Sequence, residues 1–424
     1  MSVDLTRRGF LAAGSGLAAW GLAGKALAEK PQDPVSAATP WQDVRRQFDL
    51  DWSKIHMAGL LLASHPKPVR DAIAKYRAGL DKNPVDYYHS VEEDGEAKAR
   101  KAAAEYINAP SPGSIALTDS TTQGLGVIYN GLRLRPDQEI LSTTHDHAAT
   151  FATLGLRSQR MGTKLRSMTL YEAGKQASID EMASIVAKEI RPETRAVAVT
   201  WVHSSTGMRL PIEAFAEVIK RANQSRAEED RVLLCVDGVH GFGVEDIDIR
   251  ALGCDFFSAG CHKWIFGPRG TGIVYGNPAV SKYVIPCTPT FSGFDSWGQA
   301  LTPGGFPSFE HRWALPEAFA FHQALGKARV RARIHDLARQ MKEGLAKMPK
   351  VKLYTPMSDD LSAALVCFDI QGMRQVEVVE RLAQKGIIAS STPYNVSYAR
   401  LTPGLLNTPE EVDRTLAEVR ELAK

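Results

Sequence analysis

Hydrophobic and polar positions along this chain form blocks that predict strands and helices in alternation. Helical periodicity occupies residues 95–107 and recurs further on, for example over residues 212–227. Six short apolar runs are typical of buried strands: SIALT, EILSTT, AVAVTWV, RVLLCV, DFFSAG and GIVYG, all between residues 114 and 276. This alternation predicts an α/β fold in which helices cover both faces of a sheet.

The pattern changes after about residue 305. A long helical stretch covers residues 317–348, and short strand-like runs (AALVCFDI and IIASS) flank a helical segment at 375–386. The last helix starts in NTPEEVD, where Thr408 and Glu411 fit a capping box. We therefore predict a smaller α+β domain over residues 301–424, a large domain over 55–300 and an N-terminal arm over 29–54.

The first 28 residues are typical of a targeting segment. Arg7 and Arg8 precede a weakly apolar run, and ALA at 26–28 offers small residues for cleavage. The segment resembles a twin-arginine export signal, and the run is too short and too rich in Gly and Ala to span a bilayer well. We expect export by the twin-arginine machinery, cleavage near Ala28 and a periplasmic location; an uncleaved membrane anchor is the alternative.

Composition indicates a soluble globular protein, with 44% hydrophobic and 23% charged residues among 424. The formal net charge is +3, and the first 28 residues hold three basic side chains and one acidic one. The remainder is thus nearly neutral, so no nucleic-acid partner is expected. Four of the five cysteines lie in apolar contexts and no CxxC spacing occurs, which favours buried thiols over disulfides.

The residues that carry chemistry are concentrated between 231 and 276. Asp237 ends one apolar run, and Lys263 follows a later one in the segment AGCHKWIFGPRGTG. This layout suits pyridoxal 5'-phosphate (PLP), because a lysine amine forms a Schiff base with the cofactor aldehyde. The acid keeps the pyridine nitrogen protonated, so that the ring can act as an electron sink.

That segment resembles the class V aminotransferase-like family of PLP enzymes, and CHKW resembles its isopenicillin N epimerase-like branch. The resemblance extends from about residue 55 to the C-terminus. It implies a PLP-dependent transferase fold (aspartate aminotransferase-like, fold type I) with a mostly parallel seven-stranded sheet. It also implies that Lys263 is the Schiff-base lysine, that Asp237 pairs with the ring nitrogen, that His240 lies near the ring oxygen and that His262 reaches the phosphate.

The resemblance assigns further cofactor contacts. TDSTTQGLGVIYNGL follows a strand and opens a helix, whose N-terminus favours a phosphate dianion; Thr121, Thr122 and Gln123 would form the phosphate cup, and an ordinary N-cap is the alternative. In STTHDHAATFATL, His147 rather than His145 would stack on the ring. A His-x-His metal pair there lacks further ligands, so no metal is expected. In TWVHSSTGMRLP, Ser204 matches the position beside the ring oxygen best.

VSYARLTPGLLNTPEEVD resembles the family segment whose arginine binds the substrate α-carboxylate. Arg400 therefore receives that role, and guanidinium geometry suits two parallel hydrogen bonds to a carboxylate. Gly260 stands where many relatives have a phosphate-binding serine. His311 and Arg312 replace small residues that relatives donate across a dimer interface. ASSTPYNVSYARL lacks the cysteine that desulfurases carry there.

These features predict a PLP-dependent aminotransferase that acts at the α carbon of an amino acid or an amino-acid-bearing metabolite, with periplasmic siderophore tailoring as the specific role. The alternatives are an amino-acid epimerase of the isopenicillin N epimerase type and a C–S or C–C lyase. A non-catalytic binding protein of the same fold is a further alternative. The family resemblance also implies a homodimer with shared active sites.

Overall fold

The computed structural model describes residues 34–424. The export signal predicted for residues 1–28 lies outside the described residues. Val35–Lys424 form one compact unit, and the boundaries at residues 54 and 300 stay predictions. Within this unit, no helix is both long and apolar enough to cross a membrane.

The strands of the described residues are, in chain order, β1 (Ile55–His56), β2 (Ile115–Thr118), β3 (Glu139–Thr143), β4 (Lys164–Met168), β5 (Thr194–Thr200), β6 (Leu233–Asp237), β7 (Phe256–Gly260), β8 (Gly272–Gly276), β9 (Val351–Leu353), β10 (Val366–Ile370), β11 (Ile387–Ile388), β12 (Ser390–Ser391) and β13 (Ala399–Leu401). The α-helices are α1 (Trp41–Arg46), α2 (Lys67–Lys82), α3 (Pro84–Ile107), α4 (Thr121–Gly131), α5 (Ala148–Met161), α6 (Ile179–Glu189), α7 (Ile212–Ala222), α8 (Ile249–Leu252), α9 (Trp297–Ala300), α10 (Phe309–Leu325), α11 (Lys327–Ala346), α12 (Gln375–Gln384) and α13 (Pro409–Leu422).

A seven-stranded sheet forms the larger part of the fold, in the order β2-β8-β7-β6-β5-β3-β4. All neighbouring strands are parallel except β8, which runs antiparallel to both β2 and β7. The α/β fold with a mostly parallel seven-stranded sheet is confirmed. All six runs that the sequence indicated as strands belong to this sheet, and the edge strand β4 is an addition.

Burial explains why these runs become strands. Every residue of β3, β5, β6, β7 and β8 is buried, as expected for strands covered on both faces. The carboxyl ends of β3, β5 and β6 lie at the same edge of the sheet, where open α/β sheets bind their ligands. Asp237 is the last residue of β6 at that edge.

The C-terminal part contains a four-stranded antiparallel sheet, in the order β12-β13-β10-β9. Residues of α11, α12 and α13 form a hydrophobic core with it. The helical stretch expected over 317–348 is divided between α10 and α11 at Gly326, whose φ of 83° is strained for other residues. Thr408 and Glu411 form the expected capping box at the start of α13.

Candidate active site

Asp237 is a buried carboxylate at the end of β6, and only 1% of its surface is exposed. Its Oδ1 accepts a hydrogen bond from the N–H of Val239 at 3.2 Å. Burial raises its pKa to about 6, against the opposing effect of that hydrogen bond and of Lys263. Burial therefore disfavours the ionised form of Asp237, and a cationic partner beside the carboxylate would stabilise that form.

Lys263 lies three residues after β7. Burial lowers the pKa of its amine to about 8, while Asp237 raises it and Arg400 lowers it further. The three charged groups therefore lie within electrostatic reach of one another. An amine with a pKa near 8 is partly neutral at physiological pH, which is the state that attacks an aldehyde.

Two histidines lie beside these charges. Burial lowers the pKa of both His147 and His240, and the positive charges of Lys263 and Arg400 lower it further. His147 caps α5, because its Nδ1 accepts the N–H of Ala149 at 3.1 Å. The Nδ1 of His240 accepts from Trp264 at 3.4 Å. Both imidazoles are thus held neutral and fixed in orientation.

The start of α4 has the polar groups that a phosphate requires. Ser120 is the N-cap, and its hydroxyl accepts the N–H of Gln123 at 3.2 Å. The side chain of Gln123 bonds instead to Asp119, at 2.8 Å and 3.2 Å. Thr122 is exposed, and Nδ1 of His262 is buried without a hydrogen-bond partner among residues 34–424. An orphaned ring nitrogen near a helix N-terminus fits a phosphate group.

The hydroxyl of Thr121 helps to explain why residue 260 is a glycine rather than a serine. The N–H of Gly260 donates to Oγ1 of Thr121 at 2.7 Å. A Cβ built at Gly260 would lie 3.2 Å from that oxygen and 2.8 Å from the ring of His262. A serine at 260 would therefore displace one of the two side chains, and Thr121 supplies a hydroxyl next to this position.

Arg400 enters the site from β13 and is 2% exposed. It donates to the hydroxyl of Ser390 at 3.1 Å, to the carbonyl of Ser204 at 2.8 Å and weakly to the carbonyl of Ser391 at 3.5 Å. A guanidinium has five N–H donors, so donors remain for a carboxylate. The hydrogen bonds fix the plane of the guanidinium group before any ligand binds.

Tyr394 is a site residue that the sequence analysis missed. Its hydroxyl lies 2.6 Å from Oγ of Ser204, and its ring packs edge-on against His147 with centroids 6.3 Å apart. Burial raises its pKa to about 12, and the charges of Arg400 and Asp237 also act on it. An aromatic residue in a Pro- and Asn-containing loop just before the arginine strand is the signal that could have indicated it.

Asp146, between the two histidines of the His-x-His pair, has a structural role. Its carboxylate accepts the N–H of Thr143 at 2.7 Å and that of Thr200 at 2.8 Å, and so connects the ends of β3 and β5. His145 stacks on Tyr171 with ring centroids 4.2 Å apart. Across the described part of the chain, no group of three or more His, Cys, Asp or Glu side chains could hold a metal ion.

His311 and Arg312 have partners within the chain itself. The guanidinium of Arg312 donates to Glu96 at 2.8 Å and lies 3.6 Å from Asp119. Nδ1 of His311 lies 2.9 Å from the carbonyl oxygen of Arg269. Arg312 therefore lies next to the residue that holds Gln123, at the start of α4, and a role toward a second subunit stays a prediction.

The chain is similar to known proteins over most of its length. The chain matches the family described as Aminotransferase class-V over residues 62–414. A probable cysteine desulfurase of Vibrio cholerae is 26% identical over 400 residues, which cover 87% of this chain and 93% of that protein. The isopenicillin N epimerase of Streptomyces clavuligerus is 26% identical over 401 residues, covering 89% and 97%.

Solved structures show the same fold. A C-DES mutant with glycine covalently linked to its PLP cofactor has a TM-score of 0.81 at 22% identity, and the match covers 89% of this chain and 99% of that one. The cystine C–S lyase C-DES in complex with cysteine persulfide has a TM-score of 0.79 at 22% identity, covering 87% and 97%. The fold and the site define a PLP-dependent enzyme of fold type I. The chain belongs to the class V aminotransferase family.

Asp237 predicts a pH dependence of the cofactor-free protein. Its pKa is raised from 3.8 to about 6 in the folded state, so the folded state binds more protons than the unfolded state between these values. Stability should therefore fall as the pH rises through this window, by about 2–3 kcal/mol from this group. Asp237→Asn should remove this loss, which urea unfolding at pH 4 to 7 would measure.

The exposed Asp360 provides the matched control, because Asp360→Asn should leave the pH dependence unchanged. Parallel curves for the wild-type protein and Asp237→Asn would contradict the assignment.

Proposed function

We propose that this enzyme is an aminotransferase that acts at the α carbon of an amino acid or an amino-acid-bearing metabolite. The observation that carries the proposal is the buried cluster in which Lys263 lies within electrostatic reach of both Asp237 and Arg400. PLP, when bound, supplies an aldehyde and a ring that acts as an electron sink. Lys263 would hold the aldehyde and Asp237 the ring nitrogen.

The side chains around Lys263 suggest how the substrate is oriented. The remaining N–H donors of Arg400 would take the substrate carboxylate, which fixes the α carbon. The neutral amine of Lys263 would then remove the proton from the α carbon and, as its conjugate acid, deliver it to the position that transamination requires. His147, the N-cap of α5, would stack on the cofactor ring. Ser204 would lie beside the ring oxygen, with His240 nearby.

Desulfurase chemistry has less support. Cys367 lies opposite Arg400 in the β10–β13 pair, but burial raises the pKa of its thiol to about 12. A buried protonated thiol is a poor nucleophile. Cys287 is exposed and lines a different cavity, together with Asp119 and Arg160.

An amino-acid epimerase is the second candidate. Similarity to isopenicillin N epimerase extends over 97% of that relative's length. Epimerisation needs proton donors on both faces of the α carbon. Tyr394, which contacts Ser204 and His147, offers a second protic group besides Lys263. A C–S or C–C lyase would need neither a keto-acid acceptor nor a second proton donor of this kind.

We also propose that the enzyme works in the periplasm after export by the twin-arginine machinery, with siderophore tailoring as a specific role. The support is the sequence of residues 1–28 alone, which lies outside the described part of the chain. Twin-arginine export transports folded proteins, and this suits an enzyme that acquires PLP in the cytoplasm.

A product assay tests the reaction. We expect the PLP-loaded enzyme, given L-amino acids with pyruvate or 2-oxoglutarate in deuterated water, to exchange the α proton and aminate the keto acid. Lys263→Ala should lower both rates at least about a hundredfold, the scale of a general acid–base contribution, while the exposed-lysine control Lys347→Ala should not. Mass spectrometry and chiral chromatography would measure this. Deuterium exchange with racemisation but no keto-acid amination would favour the epimerase instead.

Arg400 gives a second prediction. Arg400→Lys should lower kcat/KM about ten- to a hundredfold, the value of a charged hydrogen bond of about 1.5–3 kcal/mol. The reason is that a lysine offers a point charge where the guanidinium offers two parallel donors. Steady-state kinetics would measure the loss, and the absorbance spectrum of the resting enzyme should not change. Unaltered kinetics on every accepted substrate would remove Arg400 from the site.

We propose that the enzyme is a homodimer. Phe291, Phe294 and Phe306, here called the aromatic patch, are 74–76% exposed. The rings of Phe291 and Phe306 lie 6.0 Å apart. Phe306 also lines a cavity with Asp119, Gln123 and Arg312, so the patch adjoins the start of α4. Exposed apolar patches of this kind are typical of interfaces, and a second copy would cover it.

Light scattering should therefore show a dimer. Combining Phe291→Asp and Phe306→Asp should weaken the dimer at least about tenfold, because burying two carboxylates in an interface is strongly unfavourable. Leu156→Asp, at another exposed apolar residue on α5, is the control and should leave the mass unchanged. A wild-type monomer that binds PLP and turns over would contradict the proposal.

A further inference from the structure

A second feature of the site is an apolar cavity that Lys263 helps to line. It has a volume of about 150 Å³ and lies between the segment at residues 50–64 and the residues that follow β13. Its apolar walls are formed by Trp52, Leu62, Phe266, Ile388, Leu405 and Leu406. Apolar cavities of about this volume can hold a molecule the size of benzene.

Three polar residues in these walls, His56, Thr402 and Glu411, already have partners. His56 Nε2 lies 3.0 Å from the carbonyl oxygen of Asp51, and the hydroxyl of Thr402 donates to the carbonyl of Met57 at 2.8 Å. Glu411 pairs with Arg45 at 2.7 Å. A ligand in this cavity would therefore be held mainly by apolar contacts. Lys263 would form the part of the wall that faces the reacting group.

Two glycines keep the cavity open. Gly59 and Gly404 both line it. A Cβ at Gly59 would meet nothing within 4 Å, and one at Gly404 would lie 3.6 Å from the ring of Trp264. Neither residue has a positive φ. The backbone conformation thus does not require glycine at either position. A larger side chain at either position would instead fill part of the cavity.

We propose that this cavity binds an apolar group of the amino substrate, a phenyl ring or an alkyl chain of up to about six carbons. Lys263 connects the two parts: the reacting carbon lies at its amine, and the apolar substituent extends into the cavity that the same residue lines. The assignment to the substrate rests on the proposed function, whereas the binding of apolar groups does not.

The first experiment uses benzyl alcohol, which has no amino group and cannot react. Calorimetric titration of the PLP-loaded enzyme should show one saturable site. Gly404→Leu should fill the cavity and lower the affinity at least tenfold. Gly155→Leu is the matched control, because Gly155 lies on α5, has no positive φ and has nothing within 4 Å of an added Cβ. The Gly155→Leu enzyme should bind benzyl alcohol with the affinity of the wild type. If Gly404→Leu does not unfold cooperatively, Gly59→Val fills the same cavity from the other wall.

The second experiment assigns the site to the substrate. Across L-alanine, L-norvaline and L-norleucine, KM should fall about fourfold for each methylene added, while kcat changes little. L-phenylalanine should also be favoured over L-alanine, and Gly404→Leu should abolish both preferences.

The outcomes separate the two proposals. No saturable binding of benzyl alcohol, or equal binding by Gly404→Leu and wild type, overturns the cavity proposal, and this includes the case in which another part of the chain or a second copy covers the cavity. If benzyl alcohol binds but the KM of the amino acids does not depend on their side-chain length, the substrate assignment is overturned. Binding that is lost in Gly404→Leu, in an enzyme that reacts with no amino acid, upholds the cavity and counts against the proposed function.

Discussion

The site depends on a carboxylate and an amine that are buried together. β6 and β7 are parallel neighbours, with Asp237 paired to Ser258 in register, and Lys263 follows five residues later. Burial moves the two pKa values toward each other, to about 6 and about 8. Neither group is strongly held in its charged form, so each is ready for a partner that completes the charge balance.

The other site residues are brought to this pair by contacts between distant segments. Asp146 connects the ends of β3 and β5 through two backbone N–H groups. Ser204 contacts both Tyr394 and Arg400, which belong to the C-terminal part. The arginine is therefore positioned only when the loop after β5 packs against β13. The geometry of the site is thus a property of both sheets rather than of either one.

The buried strands could be predicted because continuous apolar runs have few alternatives to a covered sheet. β4 could not, since its residues are largely exposed and polar at the sheet edge. The division at Gly326 was missed because helical periodicity continues on both sides of it. Asp237 and Lys263 were indicated by spacing, and the structure places them together. Tyr394 was missed because its contacts are with Ser204 and His147, which lie far earlier in the sequence.

The strand pairings also constrain how the chain reaches its native state. β1 pairs with β11, so Ile55 lies beside Ile387, and the edge strand β2 pairs with β8, so Ile115 lies beside Tyr275. Closing such long loops is entropically costly and slows folding. During synthesis, β1 has no partner until residues 387–388 have left the ribosome. Early segments of the nascent chain therefore depend on late ones, and the molecule cannot be completed from its N-terminus onward.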